Sequence, residues 1–220
     1  MVWRLGAKNP LLRRMVAAKL LDGDVSKVEL ADMTPDDGLW PEPGLSGSWG
    51  LGRPLRTDHM PTRIEWRDHA KLPDVERVSG ALVICDRLKE IVEQFEPGMH
   101  QFLPIEYVDK NGNLIGQRWF FVPCVRLDSL DRQHTTMVLT KKHSWRAADE
   151  LVSAGRSDEI PPGFDVAVKP KMVFSLNKIG SYHVWCDKFL YSNLYISDAL
   201  AAMLNDKNFV GIVFSQEEQI

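Results

Sequence analysis

The residues best suited to metal chemistry lie near the C-terminal end of the chain. His183 and Cys186 are three positions apart, and Asp187 follows Cys186; His, Cys and Asp are the common ligands of zinc. A strand is predicted over residues 182–186, however, and side chains alternate between the faces of a strand. His183 and Cys186 should then point in opposite directions, which favours an exposed histidine and a core cysteine over a metal site.

Cys85 is the candidate for nucleophilic catalysis, because it lies between a predicted strand and a predicted helix. The N-terminus of a helix can stabilise a thiolate, but catalysis also needs a histidine and an orienting group nearby. Ser197 holds the matching position of a second, similar segment. The favoured interpretation is therefore that Cys85 is a small residue that tolerates the turn. A cysteine- or metal-assisted hydrolase using Cys85, His183 or Cys186 stays open as the alternative.

The sequence lacks the common nucleotide-binding and hydrolase motifs GxGxxG, GxxxxGK[ST], HExxH and GxSxG. The glycines at positions 44, 47, 50 and 52 resemble a phosphate-binding loop only in composition, since they do not join a strand to a helix. We therefore predict no catalytic residue, no cofactor and no metal.

An acidic surface is the main candidate for contact with a partner protein. Glu90, Glu93 and Glu96 are predicted to line the outer side of one helix, and Asp128 and Asp131 follow in sequence. Such a face is usually only solvated. Its functional alternative is a surface that attracts a basic partner and speeds association.

Composition indicates a soluble globular protein. The chain has 220 residues, of which 44% are hydrophobic and 26% charged. With a formal net charge of −3, the chain lacks the excess of basic residues that is typical of a nucleic-acid-binding protein. No apolar run approaches the roughly 20 residues that span a membrane. Three widely spaced cysteines fit a reducing compartment, so we expect a cytoplasmic protein without nucleic-acid or membrane partners.

One segment occurs twice, at residues 81–102 and 193–214. Each copy has an apolar run, a helix-capping position, an amphipathic stretch and a second apolar run, which predicts a strand–helix–strand unit. Matching residues lie 112 positions apart (198 − 86 and 214 − 102): Asp86 and Asp198, Phe102 and Phe214. The repeated unit contains scaffolding rather than chemistry.

The other predicted elements are mostly strands. We expect strands at residues 2–5, 63–67 (an edge strand) and 134–140, hairpins at 101–125 and 171–186, and helices at 9–21 and 144–155. Strands in hairpins with a few helices between them indicate an α+β fold with a largely antiparallel sheet.

Residues 32–62 contain too many glycines and prolines for regular elements. Trp40, Trp49 and Leu51 need burial, so we expect an ordered, irregular arm. Trp40 and Trp49 could instead anchor an interface, with core burial favoured. We divide the chain into residues 1–70, which carry a strand, a helix and this arm, and an α+β domain over 71–220, both packed into one compact unit.

The order of several short motifs resembles a known family. They are SWGLGRPL at 48–55, LVICDRL at 82–88, GMHQFLPI at 98–105, LYISDAL at 194–200 and FVGIVF at 209–214. Together they look like the bacterial polymorphic-toxin immunity family called immunity protein family eleven, formerly a domain of unknown function. The resemblance covers residues 45–215. Cys85 stands where the family is expected to have serine, and residues 1–44 match only loosely.

The resemblance implies a small cytoplasmic protein that is encoded beside a secreted toxin and neutralises this toxin by tight binding. It supplies no catalytic residues. Many such toxins are basic nucleases, which would suit a mildly acidic partner. A plain interaction module that recruits a host factor is a further alternative, and the oligomeric state is open.

Overall fold

A computed structural model describes residues 1–8, 18–67, 71–141, 143–191 and 193–220. These residues form two large, mostly antiparallel sheets and several helices, which confirms the predicted α+β class.

Strands dominate the described part of the chain. They are β1 (Val2–Ala7), β2 (Ala18–Leu20), β3 (Arg63–Trp66), β4 (Val75–Val78), β5 (Ala81–Ile84), β6 (Gln101–Val108), β7 (Leu114–Val122), β8 (Arg126–Leu127), β9 (Val138–Leu139), β10 (Trp145–Arg146), β11 (Val173–Phe174), β12 (Val184–Asp187), β13 (Leu194–Ser197) and β14 (Ile212–Gln219). The helices are α1 (Leu45–Ser48), α2 (Asp86–Phe95), α3 (Ala148–Ser153), α4 (Leu176–Ile179) and α5 (Asp198–Asn205). The two longest of these helices, α2 and α5, belong to the two repeated segments.

The two six-stranded sheets share an arrangement of five strands. The first sheet has the order β2-β3-β6-β7-β5-β4, and the second has the order β11-β14-β1-β13-β12-β8. Strands β3-β6-β7-β5-β4 correspond to β11-β14-β1-β13-β12. The outer pairs β3–β6 and β11–β14 are parallel, and the other pairs in both sets are antiparallel. The repeat therefore extends well beyond the segment visible in the sequence.

Each sheet contains a split β-α-β unit, in which a helix joins two parallel strands that have another strand between them. In the first sheet α2 joins β5 to β6 around β7, and in the second α5 joins β13 to β14 around β1. The central strand β7 follows β6 in a hairpin. The central strand β1 comes instead from the start of the chain.

The register of the strands repeats with the same offset as the sequence. The central-strand residue Trp119 pairs with Ile84 and Pro104 in the first sheet, and Trp3 pairs with Ile196 and Gln216 in the second. Both pairs of partners are 112 residues apart (196 − 84 and 216 − 104). The two sheets therefore match residue by residue around their central strands.

The same polar contact joins the central strand to the helix in both sheets. The indole N–H of Trp119 donates to Asp86 Oδ1 at 2.6 Å, and that of Trp3 donates to Asp198 Oδ1 at 2.8 Å. Asp86 and Asp198 are the first residues of α2 and α5.

The main hydrophobic core includes residues from both sheets. It contains Phe121 and Leu5 from the central strands and Leu88 and Leu200 from the helices, and α2 packs against α5. A second cluster around Trp185 covers the other face of β12 and β13. These two strands are almost entirely buried because each face meets a core.

The hairpin predicted at residues 101–125 is confirmed as β6 and β7. The one predicted at 171–186 is wrong, since β11 pairs with β14 and β12 pairs with β13 and β8. The turn of this hairpin was expected at residues 177–181. Residues 176–179 instead form the short helix α4, which ends at Gly180 with a positive φ of 63°. A tight turn and a single helical turn have similar compositions, and tertiary pairing decides between them.

The strand predicted at 63–67 forms as β3, but it lies between β2 and β6 and is not an edge strand. The edge is β2, residues 18–20, which the sequence assigned to the end of a helix. The earlier part of that helix, residues 9–17, lies outside the described residues.

Two predicted elements are shorter than expected. Only Val138–Leu139 of the strand at 134–140 is paired, and its partner Trp145–Arg146 takes up the start of the helix predicted at 144–155. That helix begins only at Ala148.

The arm, residues 32–62, is ordered and mostly irregular, with α1 as its only described helix. Trp49 and Leu51 are each 1% exposed within the main core. Strands β1, β2 and β3, from the first 70 residues, are integral parts of the two sheets.

Candidate partner-binding surface

The candidate metal ligands His183 and Cys186 have different surroundings in the structure. Cys186 is completely buried in the main core, whereas His183 Nδ1 lies 2.7 Å from Ser197 Oγ. No group of three or more His, Cys, Asp or Glu residues within the described ranges could hold a metal ion.

All three thiols are in surroundings that disfavour a thiolate. Burial raises the pKa of Cys85, of Cys124 and, most strongly, of Cys186. Cys85 directly precedes α2, as predicted, and occupies its N-cap position. Removal from water nevertheless outweighs the favourable helix end. These positions suit packing better than nucleophilic attack.

Glu90, Glu93 and Glu96 do not form one acidic face. Glu90 is exposed, and Glu93 pairs with Lys89 at 2.8 Å. Glu96 is only 5% exposed, so its predicted place on the outer side of the helix is wrong. The helix ends at Phe95, and the chain then turns the next side chain inward.

Glu96 connects the two repeats. Its Oε2 lies 2.7 Å from His100 Nε2, and its Oε1 accepts a hydrogen bond of 2.7 Å from the backbone N–H of His183. The backbone N–H of Cys124 donates to His100 Nδ1, so the ring proton is on Nε2 and points at Glu96. This buried carboxylate is a structural bridge.

Asp128 and Asp131 are engaged locally. Asp128 pairs with Arg132 at 3.0 Å and with Lys178 at 3.3 Å. Asp131 accepts hydrogen bonds from the backbone N–H groups of Gln133 and His134. Both residues are partly exposed, and each carboxylate already has partners within the chain.

The two candidate tryptophans have opposite environments. Trp49 lies in the core, where its indole N–H donates to the carbonyl of Phe121 at 2.7 Å and Arg77 lies over its ring. Trp40 is 52% exposed. The expectation of core burial is therefore confirmed for Trp49 and wrong for Trp40.

A cluster of two arginines fixes the arm just before Trp40. Arg126 donates to both carboxylate oxygens of Asp36, at 2.7 and 3.1 Å, and Arg53 pairs with the same carboxylate at 2.9 Å. The hydrogen bonds from Arg126 hold the pKa of Asp36 well below its usual range, against the opposing effect of burial. Arg126 also donates to the carbonyl of Leu39, so a single side chain holds both ends of this turn.

The residues next to Trp40 are held by backbone contacts. The N–H of Leu39 donates to the carbonyl of Lys188 at 2.7 Å, and the Leu39 side chain is 3% exposed. A Cβ atom on Gly38 would lie 2.6 Å from the same carbonyl, so only glycine allows this approach. Lys188 also forms an ion pair with Asp37.

Trp40 borders a groove of about 210 Å³ between the arm and residues 26–30. Its lining includes Glu29, Met33, Trp40, Pro41, Glu42 and Pro43. Met33 is 43% exposed. The groove therefore combines an apolar rim with two carboxylates.

Glu29, Met33 and Glu42 were not among the candidate residues predicted from the sequence. A signal was present, because residues 28–43 contain five acidic residues and no lysine, arginine or histidine. The arginine cluster that shapes the turn had no such signal, since Asp36 and Arg126 are 90 positions apart.

A family model described as "Immunity protein family (Imm11)" matches residues 29–219. The chain belongs to this family. The match confirms the resemblance inferred from the motifs and begins earlier than residue 45, so it includes the acidic part of the arm. No curated protein sequence matches the chain.

Family membership gives the chain an immunity role, and hence in general a toxin as its counterpart. In the described ranges, no helix has the length and apolar character that a membrane crossing requires.

Proposed function

We propose that the chain neutralises one cognate toxin by binding it directly in the cytoplasm, without catalysis. The observation that carries this proposal is the family match over residues 29–219. Immunity by binding requires a stable scaffold and a complementary surface, and such pairs can reach the upper limit of non-covalent affinity.

The environment of the thiols supports binding over a cysteine-dependent reaction. Cysteine catalysis uses the thiolate, and burial raises the pKa of Cys85, Cys124 and Cys186. His183, the nearest candidate base in sequence to Cys186, is engaged with Ser197 and the bridge at Glu96.

The charge of the chain supports a basic toxin. The formal net charge is −3, and five acidic residues are concentrated in residues 28–43. A nuclease needs a basic surface to bind the phosphate backbone of its nucleic-acid substrate. An acidic immunity protein would be attracted to that surface and would associate rapidly. We therefore propose a nuclease-type toxin as the partner.

The test is co-expression with the toxin domain encoded immediately upstream, scored by survival and by co-purification. We expect survival together with a stable complex. An inactive form of the same toxin domain allows binding to be measured separately from toxicity. If the cells do not survive and no complex is recovered, neutralisation of this toxin by binding is rejected.

The hydrolase alternative predicts a different result. Cys85→Ala, His183→Ala and Cys186→Ala variants that are verified to fold should still rescue cells if binding is sufficient. Loss of rescue in a variant that still binds the toxin with unchanged affinity would indicate chemistry at that residue.

A further inference from the structure

We propose that the toxin docks on the groove bordered by Met33 and Trp40, and that the docking segment of the toxin carries lysine or arginine beside an apolar side chain. This inference rests on the proposed function and specifies its contact surface. The groove is open, apolar along one rim and acidic at two positions.

The exposure of Trp40 is imposed by its neighbours. Leu39 is buried and bonded to Lys188, Pro41 follows directly, and Asp36 is held by Arg53 and Arg126. The backbone on both sides is therefore restrained while the indole remains half in solvent. A large aromatic side chain on a restrained backbone loses less entropy on binding than one on a mobile loop, and such residues are typical of binding hot spots.

The charges at the groove select a basic partner. Glu29 and Glu42 line it and form no ion pair with other described residues, whereas the lining cation Lys27 already pairs with Asp24 at 3.0 Å. The two carboxylates therefore leave the groove with a negative potential. A lysine or arginine of the toxin could pair with them while an adjacent apolar group contacts Trp40 and Met33.

The alternative acidic surface, on α2, is weaker. Glu96 is buried and Glu93 is paired with Lys89, which leaves Glu90 as the exposed glutamate of that set. No exposed aromatic side chain lies within α2, because Phe95 is partly buried against the main core. The arm combines an exposed aromatic residue with unpaired carboxylates, and α2 does not.

The experiment measures binding of the purified, inactive toxin domain encoded upstream to five variants of the full chain. Trp40→Ala should weaken the affinity at least about tenfold. The double variant Glu29→Lys/Glu42→Lys should slow association at least about tenfold and reduce its dependence on salt.

Matched controls lie elsewhere on the surface. Leu114→Ala removes an apolar side chain that is 63% exposed on β7, and Asp206→Lys reverses an exposed charge at the end of α5. Both should bind like the wild type. Thermal unfolding of every variant checks folding, and hydrogen exchange of the wild type should slow within residues 29–43 when the toxin is added.

The outcomes distinguish failure of the proposed docking surface from failure of the proposed function. If the wild-type chain neither binds nor rescues, the proposed function fails. If it binds while the groove variants bind equally well, only the docking surface is wrong. Loss of binding in Glu90→Lys alone would move the surface to α2. A dimer of the chain alone that Trp40→Ala dissociates would also overturn the proposal, since it would assign the groove to self-association.

Discussion

The central strands of the two sheets, β7 and β1, occupy equivalent positions but reach them in different ways. β7 is joined to its neighbour β6 by a turn of five residues, 109–113. β1 inserts between β13 and β14 from the opposite end of the chain. The contacts around both strands share one register, so the difference lies in chain connection and not in packing.

The same strand arrangement can therefore be assembled around a central strand that is adjacent in sequence or around one that is distant in sequence. Closing a long loop before its contacts form is entropically unfavourable, and non-local pairing is correspondingly slow. We therefore expect the first sheet to form earlier in folding, and the second to be completed when β1 enters it.

The largest expected effect compares equivalent core positions of the central strands. Phe121 pairs with Phe102 and stacks on it at 5.2 Å, while Leu5 pairs with Phe214. Phe121→Ala should lower the free energy of unfolding by about 4 kcal/mol and Leu5→Ala by about 3 kcal/mol, because both are almost fully buried. Urea unfolding measures both.

The same variants test the order of assembly. Phe121→Ala should mainly slow folding, and Leu5→Ala should mainly speed unfolding. Equal partition between the two rates at both positions would contradict an early first sheet.

Next in size is the bridge between the repeats. Glu96→Ala should destabilise the protein by about 3 kcal/mol, because it leaves the N–H groups of His100 and His183 without their buried acceptor. Glu90→Ala, on the exposed side of the preceding helix α2, should change stability by no more than about 0.5 kcal/mol. Denaturant unfolding of the pair measures the difference, and equal effects would reject the bridge.

Smaller effects are expected at the repeated Trp–Asp contact. Trp119→Phe and Trp3→Phe remove the hydrogen bonds to Asp86 and Asp198 and keep most of each ring. Each should cost about 1 kcal/mol. Double-mutant cycles with Asp86→Ala and Asp198→Ala should give similar coupling energies in both sheets. Coupling in only one sheet would show that the same Trp–Asp geometry stabilises one sheet and not the other.

The smallest expected effects distinguish the two helix starts. Ser197 caps α5 by accepting from the N–H of Leu200, whereas Cys85 makes no side-chain cap on α2. Ser197→Ala should cost about 1 kcal/mol. Cys85→Ser should change stability by less than about 0.5 kcal/mol, since a new cap is offset by burial of the hydroxyl. Thermal unfolding compares them, and a large loss in Cys85→Ser would show a packing role for the sulfur.

The sequence by itself determined the α+β class, the repeated strand–helix–strand unit, the hairpin at 101–125 and the family. These depend on local periodicity, on turn residues and on the order of short motifs, which the linear sequence carries directly. The 112-residue offset even matched the register of the folded sheets.

Tertiary structure decided the rest. The place of β1 between β13 and β14, the inward turn of Glu96 and the clamp of Asp36 by Arg53 and Arg126 all join residues distant in sequence. Composition placed both Trp40 and Trp49 in the core, but only the packing of their neighbours determines which indole is buried. Burial depends on what surrounds a side chain in three dimensions, and local sequence does not contain that information.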